Sequence, residues 1–158
     1  MMASDSLKQQ QILTWLQEGY AISGNLTQLV GDEDLNYRCQ SETASFTVKI
    51  SPAKNVGDFT FETALLTHLC HNKPSTLQLP EPMLNQDKQW VSTIEKEGST
   101  VCLRLLSWVA GGLWSNYSPH SESLLFSIGQ QAATLNTALA NFEHPQSKRE
   151  FDWDLAQC

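Results

Sequence analysis

SFTVKISPAKNVGDFTFETALLTHL, residues 45–69, is the stretch on which the fold turns. It opens as an alternating strand: Phe46, Val48 and Ile50 share one face, and Thr47, Lys49 and Ser51 share the other. Beyond Pro52 the period changes to that of a helix from about Asp58 to Leu69. At ~100° per residue, Phe59, Phe61, Leu65, Leu66 and Leu69 fill one arc, while Thr60, Thr63 and Thr67 fill the opposite one. Glu62 falls inside the apolar arc. A carboxylate facing a packed sheet costs several kcal/mol of desolvation unless a cation or hydrogen-bond donors meet it. Two readings stay open: Glu62 reaches solvent from the edge of the stripe, or it meets a cation, for which Lys49 is the nearest candidate in sequence. Taken alone, a lysine on a strand face is ordinary solvated surface.

Working outward, SDSLKQQQILTWLQEGY places Leu7, Ile12, Leu13, Trp15 and Leu16 at helical spacing behind Ser4 or Asp5, predicting a lead-in helix that stops at Gly19. From Ala21 the texture is β: AISGNLTQLV, the acidic turn GDEDLN, NYRCQSE, then SFTVKIS. After the helix, Pro74 enforces a break. The segment from Pro82 to Val109 predicts two more strands joined by a turn near Gly98, the second being the apolar VCLRLLSWV. Gly111 and Gly112 then punctuate the chain. In SESLLFSIGQQAATLNTALANFEH, residues Leu124, Ile128, Leu135, Leu139 and Phe142 recur at helical spacing, and Gly129, Ala132 and Ala133 permit close approach of a neighbour. REFDWDLAQC starts another helix. The predicted class is α+β: an antiparallel sheet of about five strands carrying one key helix, followed by a helical start. The expected division is 1–19 lead-in helix, 20–108 β-rich lobe, and 109–158 hinge and helical segment.

With 158 residues, 41% of them hydrophobic, the chain can bury a sizeable core. Ten Lys and Arg against seventeen Asp and Glu leave no basic footprint, so neither nucleic acid nor an anionic membrane is an expected partner. No apolar run reaches the ~18–20 residues of a membrane helix, and MMASDSLKQQQ lacks the pattern of a signal peptide. Cys39, Cys70, Cys102 and Cys158 lie far apart, as reduced thiols of a cytoplasmic protein would.

VKI on the third strand, FETALLTHL on the helix and LRLLSWVAGG running into a hinge together resemble the protein-kinase-like fold of the aminoglycoside phosphotransferase family. The hydroxylysine kinase-like branch is the best match. YAISGNLTQLVGDEDLNYRCQSETASFTVKIS resembles that branch's opening, and FEHPQSKREFDWDLA its passage before the catalytic segment. By this resemblance the lobe at residues 20–108 is the nucleotide-binding N-terminal lobe and the rest begins a helical C-terminal lobe. Lys49 matches the lysine that binds the nucleotide α- and β-phosphates, and Glu62 the helix glutamate that orients it. Asn36 matches the asparagine where the first hairpin covers the phosphates. Leu106, Ser107, Trp108 and Val109 match the linker whose backbone reads the base. The implied activity is transfer of the γ-phosphoryl of ATP or GTP to a hydroxyl of a small amine-bearing molecule, such as hydroxylysine or an amino alcohol.

The pattern departs from the family in what is missing. None of the four histidines is followed by Gly-Asp, so the catalytic loop is not within these residues, and the ligands of the implied Mg2+ are expected beyond residue 158. The chain alone is therefore expected to be inactive. The alternative is a non-catalytic, truncated kinase-like module that binds nucleotide or a protein partner, with a homodimer through the exposed helical face.

Other constellations carry less. Asp32, Asp34 and Asn36 match three positions of a calcium loop, but Tyr37 and Thr43 stand where Gly and Glu are required, leaving a solvated hairpin tip. His68, Cys70 and His71 crowd a helix end without a fourth metal ligand, where histidines suit the helix dipole. Ser118, His120 and Ser121 are explained by capping of the next helix. Trp90, Trp108, Trp114 and Trp153 read as core or interface anchors, Trp108 also as a flank for a base.

Overall fold

The computed structural model describes residues 9–31, 34–53, 56–96 and 98–148. Helix α1 (Gln9–Tyr20) leads into strands β1 (Asn25–Leu29), β2 (Leu35–Gln40) and β3 (Ser45–Pro52), followed by helix α2 (Val56–Asn72). Strands β4 (Pro82–Met83), β5 (Ser92–Lys96) and β6 (Ser99–Ser107) complete the sheet, and helix α3 (Glu122–Leu139) follows. The predicted terminal helix in REFDWDLAQC, with Trp153 and Cys158, lies outside the described residues, as do Ser4, Asp5 and Leu7.

The α+β class holds, with six strands in place of about five. They run in the order β1-β2-β3-β6-β4, β5 also pairs with β6, and every pairing is antiparallel. The extra strand is Pro82–Met83, paired to Leu106 and Leu105. Two residues have no alternation to read, and a proline is tolerated there because an edge position wastes no ladder donor.

Alternation divides the sheet into two faces. On one, Tyr37, Cys39, Val48, Ile50, Leu103 and Leu105 form a single buried cluster with Ile12 and Leu16 of α1. The lead-in helix is thus seated in the sheet's own core, and its two fully buried residues are spaced i, i+4 as one helical stripe requires. The other face carries Lys49, Ser51, Cys102, Arg104 and Leu106 beneath α2.

Helix α1 ends one residue later than expected, at Tyr20. Ala21 takes the left-handed conformation, φ 54°, and the N–H groups of Ala21 and Ile22 donate to the carbonyls of Gln17 and Leu16 at 3.1 and 3.2 Å. A Cβ in that region costs about 1 kcal/mol, so Ala21→Gly should raise unfolding stability by roughly 0.5–1 kcal/mol. A denaturant midpoint no higher than that of the parent protein would count against a strained cap.

Helix α2 overruns its expected bounds at both ends. At its C-terminus the last carbonyls find partners in Lys73 N–H (to Leu69, 2.8 Å), Asn72 Nδ2 (to His68, 2.8 Å) and His71 Nδ1 (to Thr67, 2.7 Å). Helix α3 starts where capping predicts: the Ser121 hydroxyl accepts from the Leu124 N–H. At its C-terminal end it meets α2, where His68 Nε2 lies 3.0 Å from the Ala138 carbonyl, and just beyond the helix Phe142 packs on Phe61 and His68. Its earlier turns leave Leu125, Phe126 and Ile128 exposed, so the apolar stripe is partnered over only part of its length.

Burial raises the pKa of the Cys39, Cys70 and Cys102 thiols, which are free and neutral in the fold. Among the described residues no helix is long and apolar enough to cross a membrane.

Candidate functional site

The charged residues of the second face converge on one row. Strand register sets Asn36, Lys49 and Arg104 side by side across β2, β3 and β6. All three point towards α2 because their neighbours Tyr37, Val48, Ile50 and Leu103 point into the α1 core. Helix α2 lays Glu62 over this row. The Glu62 Oε2 is 3.8 Å from Lys49 Nζ and in contact with Arg104 Nη2. Lys49 Nζ also lies 3.0 Å from the Asp34 carboxylate, which the β1–β2 turn delivers. The result is a chain of alternating charge, Asp34–Lys49–Glu62–Arg104, with no net charge.

Burial differs along that chain. Arg104 is 2% exposed, the side chains of Asp34 and Lys49 are 17% and 22% exposed, and that of Glu62 is 41% exposed. The network runs from a dry end at Arg104 to a wetter opening at Lys49 and Glu62. The Arg104 guanidinium lies 4.5 Å from the centre of the Phe59 ring, a cation–π arrangement, and its Nη1 reaches Thr63 Oγ1 at 3.5 Å. Among the described residues its Nε has no hydrogen-bond partner.

Two expectations about α2 change here. Thr63 falls on the outward arc by helical period but is 4% exposed, and its Oγ1 meets the buried guanidinium. Glu62 meets a cation, and the one in contact is Arg104, with Lys49 the second. The acidic turn is likewise more than a solvated hairpin tip. Asp34 points inward onto Lys49, and Asn36 Nδ2 donates to the Asp34 carbonyl at 3.3 Å. The turn closes tightly enough that a Cβ on Gly31 would collide with that carbonyl and with the Asn36 amide. Asp32, in the same turn, lies outside the described residues.

The linker residues follow Arg104 at the C-terminal end of β6. Leu106 is buried on the Arg104 face. The Ser107 N–H donates to the Glu81 carbonyl at 2.8 Å and the Trp108 N–H to the Ser45 carbonyl at 3.3 Å, so both donors are engaged. The Ser107 hydroxyl accepts from the Glu81 N–H at 2.8 Å. The Trp108 ring is covered by the Arg38 guanidinium at 4.7 Å, which is itself fixed by Ser45 Oγ at 3.0 Å. Val109 is partly exposed where the chain leaves the sheet.

No protein-family profile matches this sequence, and no curated protein matches it either. Solved structures do. An amicoumacin kinase in complex with AMP-PNP and Ca2+ superposes with a TM-score of 0.70 at 16% identity, over 96% of this chain and 46% of its own. A microcompartment-associated aminopropanol kinase gives 0.68 at 17% identity, over 93% and 45%. A spectinomycin phosphotransferase in complex with ADP and spectinomycin gives 0.61 at 11% identity, over 90% and 40%.

The chain shares its fold with part of these kinase structures. The chain spans less than half the length of each of these structures.

Proposed function

We propose that this chain is the nucleotide-binding part of a small-molecule phosphotransferase that moves the γ-phosphoryl of ATP or GTP to a hydroxyl of an amine-bearing acceptor. The observation that carries this reading is the Lys49 ammonium, partly open to solvent and held by two carboxylates on the sheet face of a kinase-like lobe. A fixed ammonium suits the α- and β-phosphates because phosphoryl transfer depends on alignment and charge neutralisation more than on covalent help. Asn36, next to Lys49 in register, and the hairpin amides around it would cover the phosphates. Glu62 would orient Lys49. The segment Leu106–Val109 would take the base edge; with the Ser107 and Trp108 N–H groups engaged, that role falls to carbonyls and to the Val109 N–H.

What the structural neighbours act on supports the class of acceptor. An amicoumacin kinase, an aminopropanol kinase and a spectinomycin phosphotransferase all support a small-molecule acceptor, and an amino alcohol of the hydroxylysine kind is the form we favour, in a cytoplasmic setting. Among the described residues no cluster of three or more His, Cys, Asp or Glu side chains could hold a metal ion.

The test is a thermal unfolding series with ATP, GTP or neither, each with Mg2+. A midpoint that rises with nucleotide concentration supports a formed site; a midpoint unmoved by both nucleotides at millimolar concentration defeats it. A second reading, an interaction module without catalysis, is favoured by one feature, the exposed Leu125, Phe126 and Ile128 of α3. Concentration-dependent size by light scattering, with no response to nucleotide, would favour a homodimer through that face.

A further inference from the structure

The two carboxylates beside Lys49 stand in different relations to it. Glu62 is 3.8 Å away and its Oε2 contacts Arg104, which is buried and has no other anion among the described residues. Asp34 is 3.0 Å away and makes no other ion pair among the described residues. Glu62 is therefore anchored from the dry side of the sheet, whereas Asp34 is held by Lys49 and by its own turn. That turn leads into Asn36, which stands beside Lys49 in the sheet register.

We infer that Asp34 is an exchangeable anion. It holds Lys49 in the nucleotide-free protein and gives way to the polyphosphate, while Arg104 keeps Glu62 in place as the fixed second partner. This rests on the nucleotide-binding reading above. Arg104 is what makes the exchange feasible: with a cation of its own, Glu62 keeps its charge compensated when the ammonium turns to phosphate. Asp34 has the opposite effect, since a phosphate must displace it and then tolerate a neighbouring like charge.

The expected consequence is that Asp34 weakens nucleotide binding. Asp34→Asn keeps the size and the turn-forming habit of the side chain but removes its charge. By titration calorimetry with Mg2+ and ATP, the variant should bind about twofold to fivefold more tightly than the parent protein, the range of a partly exposed ion pair. Linkage supplies a second readout. The nucleotide-free variant should melt at a lower temperature than the parent, and the nucleotide-saturated proteins should melt together, because the Asp34 pair is absent from both complexes. A merely structural role would lower both melting temperatures. Equal or weaker binding by Asp34→Asn overturns the exchange and makes Asp34 part of the binding set. Asp34→Ser, which removes the carboxylate differently, must tighten binding as well. A folded parent protein that binds neither ATP nor GTP overturns this inference together with the reading it rests on, whereas binding by the parent without tightening in the variants removes the exchange alone.

Discussion

Glu62→Ala should destabilise the protein by about 3–5 kcal/mol, the cost of leaving a buried charge without its partner. Removing a half-exposed glutamate from a helix is ordinarily mild. Here the penalty falls on Arg104, which is 2% exposed, packs on Phe59 and, among the described residues, has an unpartnered Nε and no second carboxylate within ion-pairing distance. Lys49 cannot take over, being itself a cation. The measurement is urea denaturation of the parent protein, Glu62→Ala, Arg104→Met and the double variant. The double variant should recover much of the loss, because an apolar side chain of similar length replaces the uncompensated cation. A Glu62→Ala penalty below about 1 kcal/mol would show that Arg104 is not held by this pair in solution.

Lys49→Met should leave the fold nearly intact and remove most nucleotide binding. The Lys49 side chain is 22% exposed and its partners are an exchangeable aspartate and a glutamate with a second cation. Its loss should cost stability on the scale of a surface ion pair, about 1 kcal/mol or less. For the nucleotide, each charge-assisted hydrogen bond from an ammonium contributes about 1.5–3 kcal/mol, so affinity should fall roughly 10- to 100-fold. The ATP-dependent rise in melting temperature should then shrink to near nothing at concentrations that saturate the parent protein. A folded Lys49→Met protein with the parent's nucleotide response would remove Lys49 from the site.

Much of the lobe is legible in the sequence because it is written in period. The two-residue alternation of SFTVKIS assigns Lys49 to the face opposite Val48 and Ile50, and the structure keeps that assignment. Glu62 is legible as an anomaly in a helical stripe. What stays hidden is pairing across long sequence distances. Arg104 belongs to the apolar strand VCLRLLSWV, and its meeting with Lys49 depends on β6 lying beside β3, with α2, β4 and β5 intervening in sequence. The signal was available: a lone arginine inside an apolar strand poses the same desolvation problem as Glu62, with the opposite sign. Asp34 is harder, since one of three acidic residues in a turn gives no hint of which points inward. Thr63 shows the limit of helical arcs, which assign polar residues outward unless a buried donor is known. The exposed turns of α3 mark a further limit, because periodicity identifies an apolar face without saying what covers it.

The alternation of β3 ties the site to the core on the other side of the sheet. A slip of β3 by one residue would drive the Lys49 ammonium into the apolar seat formed by Ile12 and Leu16 and turn Val48 out towards α2. The hydrophobic packing beneath α1 therefore acts as a proofreader for where the ammonium emerges. Enlarging or emptying that seat would loosen the site from behind, without touching any residue that faces the nucleotide.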